Sequence, residues 1–202
     1  MNKSSILGAV GCLAAACGTA QASPITTPPP TLVATGDVKA VYIFANAADT
    51  SFLNEVSPVP WSMIFCNHSS GSCTASPTGD LVDLGSQSGP LVFSLANITT
   101  GKTYNTNTPD TGGAYHAVFS TSYAAFGLGP LPSAATTALS GLPNVTFVAW
   151  EDRDATNGSD FDYNDLVFAF SNTKASIPEP LSLSLLGAGL LGLAGVRRHK
   201  SS

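Results

Sequence analysis

Six carboxylates crowd into the fifteen positions from Glu151 to Asp165, in the run WEDRDATNGSDFDYNDLVF, with Arg153 as the one counter-charge among them. They are Glu151, Asp152, Asp154, Asp160, Asp162 and Asp165. At 4 Å a like-charge pair costs ~1 kcal/mol in bulk water and ~4 kcal/mol at an effective dielectric of 20, so a folded loop of this kind calls for a neutralising partner. A hard divalent cation meets the need. Calcium takes six to eight oxygen ligands at roughly 2.3–2.6 Å from carboxylates, amide carbonyls and backbone carbonyls. Asp160, Asp162 and Asn164 alternate with Phe161 and Tyr163. In an extended segment that spacing turns three oxygen-bearing side chains to one side and two aromatic anchors to the other. The expected ligands are therefore Glu151, Asp152, Asp160, Asp162, Asn164 and Asp165, and the expected cofactor is structural calcium. The competing reading is a solvated acidic loop that keeps the protein soluble, and the interleaved aromatics argue against it. An EF-hand does not fit: with Asp160 as position 1, Asp165 stands where the turn glycine belongs and Ser171 where the bidentate glutamate belongs.

The elements that would hold such a loop read as short β-type runs broken by Gly, Pro, Asn, Asp and Ser: VKAVYIF, WSMIF, DLVDLG, PLVFSLANI, YHAVFS, VTFVAW and LVFAF. Val38, Ala40, Tyr42 and Phe44 alternate with Lys39, Val41 and Ile43, and Val145, Phe147 and Ala149 alternate with Thr146, Val148 and Trp150. Neither strand has a fully polar face, which predicts cover on both sides. Residues 133–142, SAATTALSGL, are the one weak helical candidate, with Ser133 as N-cap and Gly141 as stop. The pattern predicts an all-β chain, an antiparallel β-sandwich of jelly-roll or immunoglobulin-like type with long polar loops. VTFVAW ends in Glu151 and Asp152, and Asp165 immediately precedes LVFAF; if these strands pair, the two carboxylate groups meet at one edge of the sandwich.

The ends of the chain have a different composition. Lys3, the apolar stretch Ile6–Ala16 and Ala20-Gln21-Ala22 read as a secretory signal peptide over residues 1–22. Cys17 hints at a lipoprotein box, but Ala14 stands where leucine is usual. A proline-rich lead-in over 23–36 precedes the sandwich domain, expected over 37–175. Residues 176–202 carry Pro178-Glu179-Pro180, an apolar run from Leu181 to Val196, and a basic end with Arg197, Arg198 and Lys200. As a helix the 16-residue run reaches ~24 Å, short of the ~30 Å hydrocarbon core of a bilayer, which suits transient membrane association. The terminal cations would remain cytoplasmic.

With both ends set aside, the body keeps four cations (Lys39, Lys102, Arg153, Lys174) against twelve carboxylates, a net charge of −8. Such a surface repels nucleic acid and attracts divalent cations. Cys66 and Cys73, in CNHSSGSC, are close enough for a small disulfide loop in an oxidising compartment. The zinc alternative through His68 lacks a fourth ligand nearby.

The order of parts in the tail resembles the PEP-CTERM class of exported bacterial proteins. That resemblance implies signal peptidase and exosortase as processing partners, the cell surface or extracellular matrix of a Gram-negative bacterium as destination, and exopolysaccharide as a possible associate. FVAWEDRDATNGSDFDYNDLVFAFSN is similar to the signature of an uncharacterised bacterial extracellular domain family, in which a strand ending in Glu-Asp leads to Gly and then Asp-x-Asp-Tyr-Asn-Asp. The matching positions are Glu151, Asp152, Gly158, Asp160, Asp162, Tyr163, Asn164 and Asp165. The insert before Gly158 is longer here. This second resemblance implies a fold and a calcium site, and no reaction.

No G-x-S-x-G elbow accompanies His68 and His116, and the candidate carboxylates for a glycosidase pair crowd one loop with none placed opposite. Three function classes follow in order of expectation: a non-catalytic, calcium-stabilised surface or matrix protein; a calcium-dependent carbohydrate-binding module using Trp61, Trp150 or Tyr163; and an extracellular glycoside hydrolase.

Overall fold

A computed structural model describes residues 22–176. The expected signal peptide up to position 21 and the sorting motif Pro178-Glu179-Pro180 with its apolar run and Arg197 and Arg198 lie outside the described residues. Among those described, no helix is long and apolar enough to cross a membrane.

The body is an antiparallel β-sandwich of nine strands: β1 Thr31–Ala45, β2 Ser51–Ser57, β3 Trp61–Cys66, β4 Leu81–Asn97, β5 Lys102–Asn105, β6 Ala117–Ser120, β7 Thr146–Trp150, β8 Leu166–Phe170 and β9 Thr173–Ser176. They follow the order β3-β2-β4-β1-β8-β7-β6, with β5 on β4 and β9 on β1. The runs DLVDLG and PLVFSLAN are one strand. The first part of β4 pairs with β1 from Leu81 to Leu91, and its last part pairs with β2 from Val92 to Asn97. Gly85 and Gly89 lie at φ +77 and +84 inside this strand, a backbone region side chains resist, and Gly85 pairs with Val38 where the ladder to β1 shifts register.

Period-two alternation then fills two cores. Val38, Ala40 and Tyr42 of β1, Val148 and Trp150 of β7, and Leu166, Phe168 and Phe170 of β8 face Leu53, Phe65, Phe93 and Leu95 from the other layer. Phe93 stacks on Phe170 at 4.2 Å and Phe65 on Phe168 at 5.8 Å. Each fully buried side chain of this size contributes about 1.5–3 kcal/mol. The opposite face of the same strands, with Val41, Ile43, Phe147, Ala149, Val167 and Ala169, is also buried, under Tyr123, Ala135, Phe161 and Tyr163. Both faces are covered, as the absence of a polar face requires. The alternation predicted for Phe44 fails: the ladder slips between Tyr42 and Phe44, and Phe44 joins Ile43 on the outer side, edge-on to Tyr123. A bulge adds one residue and so reverses the side of everything after it.

The helix is shorter than expected. α1 spans Ser133–Leu139, and Pro132 is its N-cap while Ser133 is already helical, without a side-chain cap. Thr136 and Thr137 spend their hydroxyls on the carbonyls of Pro132 and Ser133. Cys66 and Cys73 form the expected disulfide at the end of β3, with His68 exposed between them.

Candidate cation-binding site

β7 and β8 pair directly, with Trp150 opposite Leu166, so Glu151-Asp152 and Asp165 leave the sheet side by side. Asp165 N–H donates to Trp150 O at 3.2 Å, Asp152 N–H donates to Asp165 Oδ2 at 2.8 Å, and Glu151 N–H donates to His116 O at 3.0 Å. Strand pairing thus closes a loop from 151 to 165 and fixes the neighbourhood of its carboxylates.

Five of the six carboxylates converge. One oxygen each from Glu151, Asp160 and Asp162 lies within 4.8 Å of the others, and the same holds for Glu151, Asp152 and Asp165. Glu151 and Asp152 are each 2% exposed, Asp165 is intermediate, and Asp160 and Asp162 face solvent. Burial, and then the charge of Asp165, pushes the Glu151 carboxyl up to about 8 and that of Asp152 up to about 7. Burial raises Asp162 as well, helped by Asp160 and Asp165. Ser159 hydrogen-bonds Glu151 and Ser51 donates to Asp152 Oδ2 at 3.1 Å, while Glu151 Oε2 is buried without a partner. A buried acceptor left unpaired costs about 1–3 kcal/mol. The donor set is all oxygen, crowded and short of positive charge, which suits a hard cation.

Asp154 stands apart. It accepts from the backbone N–H groups of Thr156 and Asn157 at 2.9 and 3.1 Å, shaping the turn that Gly158 closes at φ +83, and it faces Lys102 at 3.5 Å. Arg153 also turns away from the cluster. Its Nε and Nη2 donate to the two oxygens of Asp49 at 2.8 and 2.7 Å. The loop's own counter-charge is therefore spent on another carboxylate.

The aromatic anchors behave as expected by a different route. Phe161 and Tyr163 are buried and Asp160 and Asp162 exposed, but the segment is not an extended strand: both aromatics sit at φ 54. For non-glycine residues that conformation costs roughly 1–2 kcal/mol each, offset by their burial. The Tyr163 hydroxyl donates to Tyr115 O at 2.8 Å and accepts from Ile25 N–H at 3.0 Å. Asn164 turns its amide nitrogen to Asp162 and its carbonyl oxygen to Asn46 Nδ2, 3.2 Å away.

A second ring of residues supports the loop from far along the chain. Asn97 Nδ2 donates to Asp152 O at 2.8 Å and to Asp49 Oδ2 at 2.9 Å, and Asn67 fixes Ser51 by accepting its N–H at 2.8 Å. Asn67 follows Cys66, so the disulfide borders this network. His116 is a fully partnered buried group: Nδ1 meets Glu151 O and Nε2 meets Asp110 Oδ2, each at 3.1 Å, and its ring stacks on Tyr104 at 3.7 Å. None of Asp49, Ser51, Asn67 and Asn97 was expected from sequence, because each is a single polar residue 54–102 positions upstream of Glu151 with no local pattern around it.

The three aromatics considered for sugar stacking do not share a surface. Trp150 is buried in the inner core and Tyr163 under the outer face. Trp61 is 39% exposed, but it pairs with Glu55 in β2, whereas Ser51, at the other end of that strand, is the residue that meets Asp152. Outside the acidic loop, burial also raises the carboxyl of Glu55, against the hydrogen bond that Gln87 Nε2 donates to it at 3.0 Å. In comparisons with known proteins, no family model, no curated protein and no solved structure matches this chain.

Proposed function

We propose that the chain is a non-catalytic exported protein of the cell surface or extracellular matrix, whose acidic loop is closed by structural calcium. The observation that carries the calcium reading is Glu151: a buried carboxylate, one oxygen without a partner, standing between two further pairs of carboxylates while the nearby Arg153 is paired with Asp49. Calcium suits this site better than magnesium because the ligands come from an irregular loop and are numerous, where magnesium favours one or two carboxylates in near-ideal octahedral geometry. Export and exosortase processing are supported by the sequence at both ends and by the resemblance of the tail. The disulfide is compatible with an oxidising compartment.

In this reading the loop does no chemistry. Its neutralised carboxylates lock the β7–β8 connection, and through Phe161 and Tyr163 they hold the outer core. Thermal melting of the full chain with calcium and with chelator tests it. Calcium should raise the melting temperature, and Glu151→Gln should remove most of the response; superimposable melts with and without chelator would overturn the proposal.

A further inference from the structure

The converging carboxylates form two triads, Glu151–Asp160–Asp162 and Glu151–Asp152–Asp165, and the triads meet in Glu151 alone. Oxygens that share one calcium ion at roughly 2.3–2.6 Å lie within about 5 Å of one another. Each triad satisfies that limit with its 4.8 Å spread. We infer that the loop is a binuclear centre taking two divalent cations of the calcium type, one per triad, with the Glu151 carboxylate bridging them. The inference rests on the cation-binding reading of the loop and goes further in number and arrangement.

Charge supports two ions over one. The five carboxylates carry five negative charges when ionised, and Arg153 adds nothing because Asp49 cancels it. One divalent ion leaves three charges uncompensated around two side chains that are 2% exposed; two ions leave one. Glu151 is the right residue to share. A carboxylate has two oxygens, each with two lone pairs, and Ser159 takes up only part of this capacity, while Oε2 is buried and unpaired. The two half-sites differ in kind. The inner one has its ligands oriented in advance, since Ser51 Oγ–H holds Asp152 and Asp152 N–H holds Asp165. The outer one has exposed carboxylates from Asp160 and Asp162, so water completes its coordination and its ion exchanges faster.

Equilibrium dialysis of the full, oxidised chain against calcium, followed by elemental analysis, counts the ions directly. Two calcium ions per chain are expected. Asp162→Asn should retain one, the inner and slower-exchanging ion, and Asp152→Asn should also retain one, faster-exchanging. The near-ultraviolet spectrum of the buried Trp150 checks folding; if Asp152→Asn does not fold, the exposed Asp162 substitution decides alone. One ion in the unmodified chain, or zero or two in Asp162→Asn, overturns the bridged pair. One ion in the unmodified chain leaves the single-cation reading standing, whereas none overturns both.

Discussion

Replacing Glu151 with glutamine should make the chain more stable without calcium and less stable with it. Carboxylate oxygens in each triad approach to within 4.8 Å, and at an effective dielectric of 20 two unit charges at that separation repel by ~3.5 kcal/mol. Burial first, and this repulsion from Asp165 second, lift the Glu151 carboxyl from the ordinary 4.5 to about 8. Because the folded state holds that proton more tightly than the unfolded state, the contribution to stability is complete below 4.5 and is lost as the pH rises through about 8. Glutamine keeps the shape and cannot ionise. In chelator at a pH above 8, with hydration at the loop reducing the full repulsion, the variant should gain about 2 kcal/mol, which for a domain of this size is roughly 4–8 °C in melting temperature. Calcium at about 100 times its dissociation constant adds about 2.7 kcal/mol to the unmodified chain. The variant lacks the shared ligand and should gain little, so the order of stability reverses. Calorimetry of both chains in chelator and in calcium, at acid and alkaline pH, reads all four cases. A variant that melts below the unmodified chain in chelator at alkaline pH refutes the argument.

Reducing the Cys66–Cys73 bridge, or replacing both residues by serine, frees a short loop and should cost about 2.5 kcal/mol by chain entropy, read as a lower denaturant midpoint. Tyr163→Phe removes a hydroxyl that donates to Tyr115 O and accepts from Ile25 N–H; a loss of about 1–2 kcal/mol should accompany faster amide exchange at Ile25, with the strand amides of β7 and β8 unaffected. Hydrogen bonds from Arg153, against the opposing effect of burial and with help from Asn97, hold the Asp49 carboxyl below its ordinary value of 3.8. Its contribution is therefore present above 3.8 and lost as the pH falls through the lower folded value, and Asp49→Asn should flatten that acid limb of an unfolding curve.

The runs with strong apolar alternation were legible as strands, and the doubly covered β1 and β7 followed from their lack of a polar face. β2 was not legible, because SFLNEVS carries Asn54 and Glu55, and Glu55 is tolerated inside through Gln87, 32 positions away. β5 and β9 are four residues each and mostly polar, so they take their conformation from the edges they join. The acidic loop announced itself by charge density, and the pairing of β7 with β8 then brings its two halves together. What no local pattern carried was the use of Arg153. Its partner Asp49 lies 104 positions upstream, and only the fold reveals that the apparent counter-ion of the loop belongs elsewhere.

The central position of β1 has a consequence for how the chain can fold. Ala40 pairs with Phe170 and Thr31 with Ser176, partners more than 120 residues later, while the other neighbour, β4, follows within about 60. A chain emerging from its N-terminus can build the β1–β4 ribbon early, but the other edge of β1 stays open until β8 and β9 arrive. That edge carries Val41 and Ile43, fully buried in the finished molecule, and is the stretch most exposed to mispairing in the interval. Closure waits for the end of the domain, and the acidic loop is the last connection made before the strand that closes it.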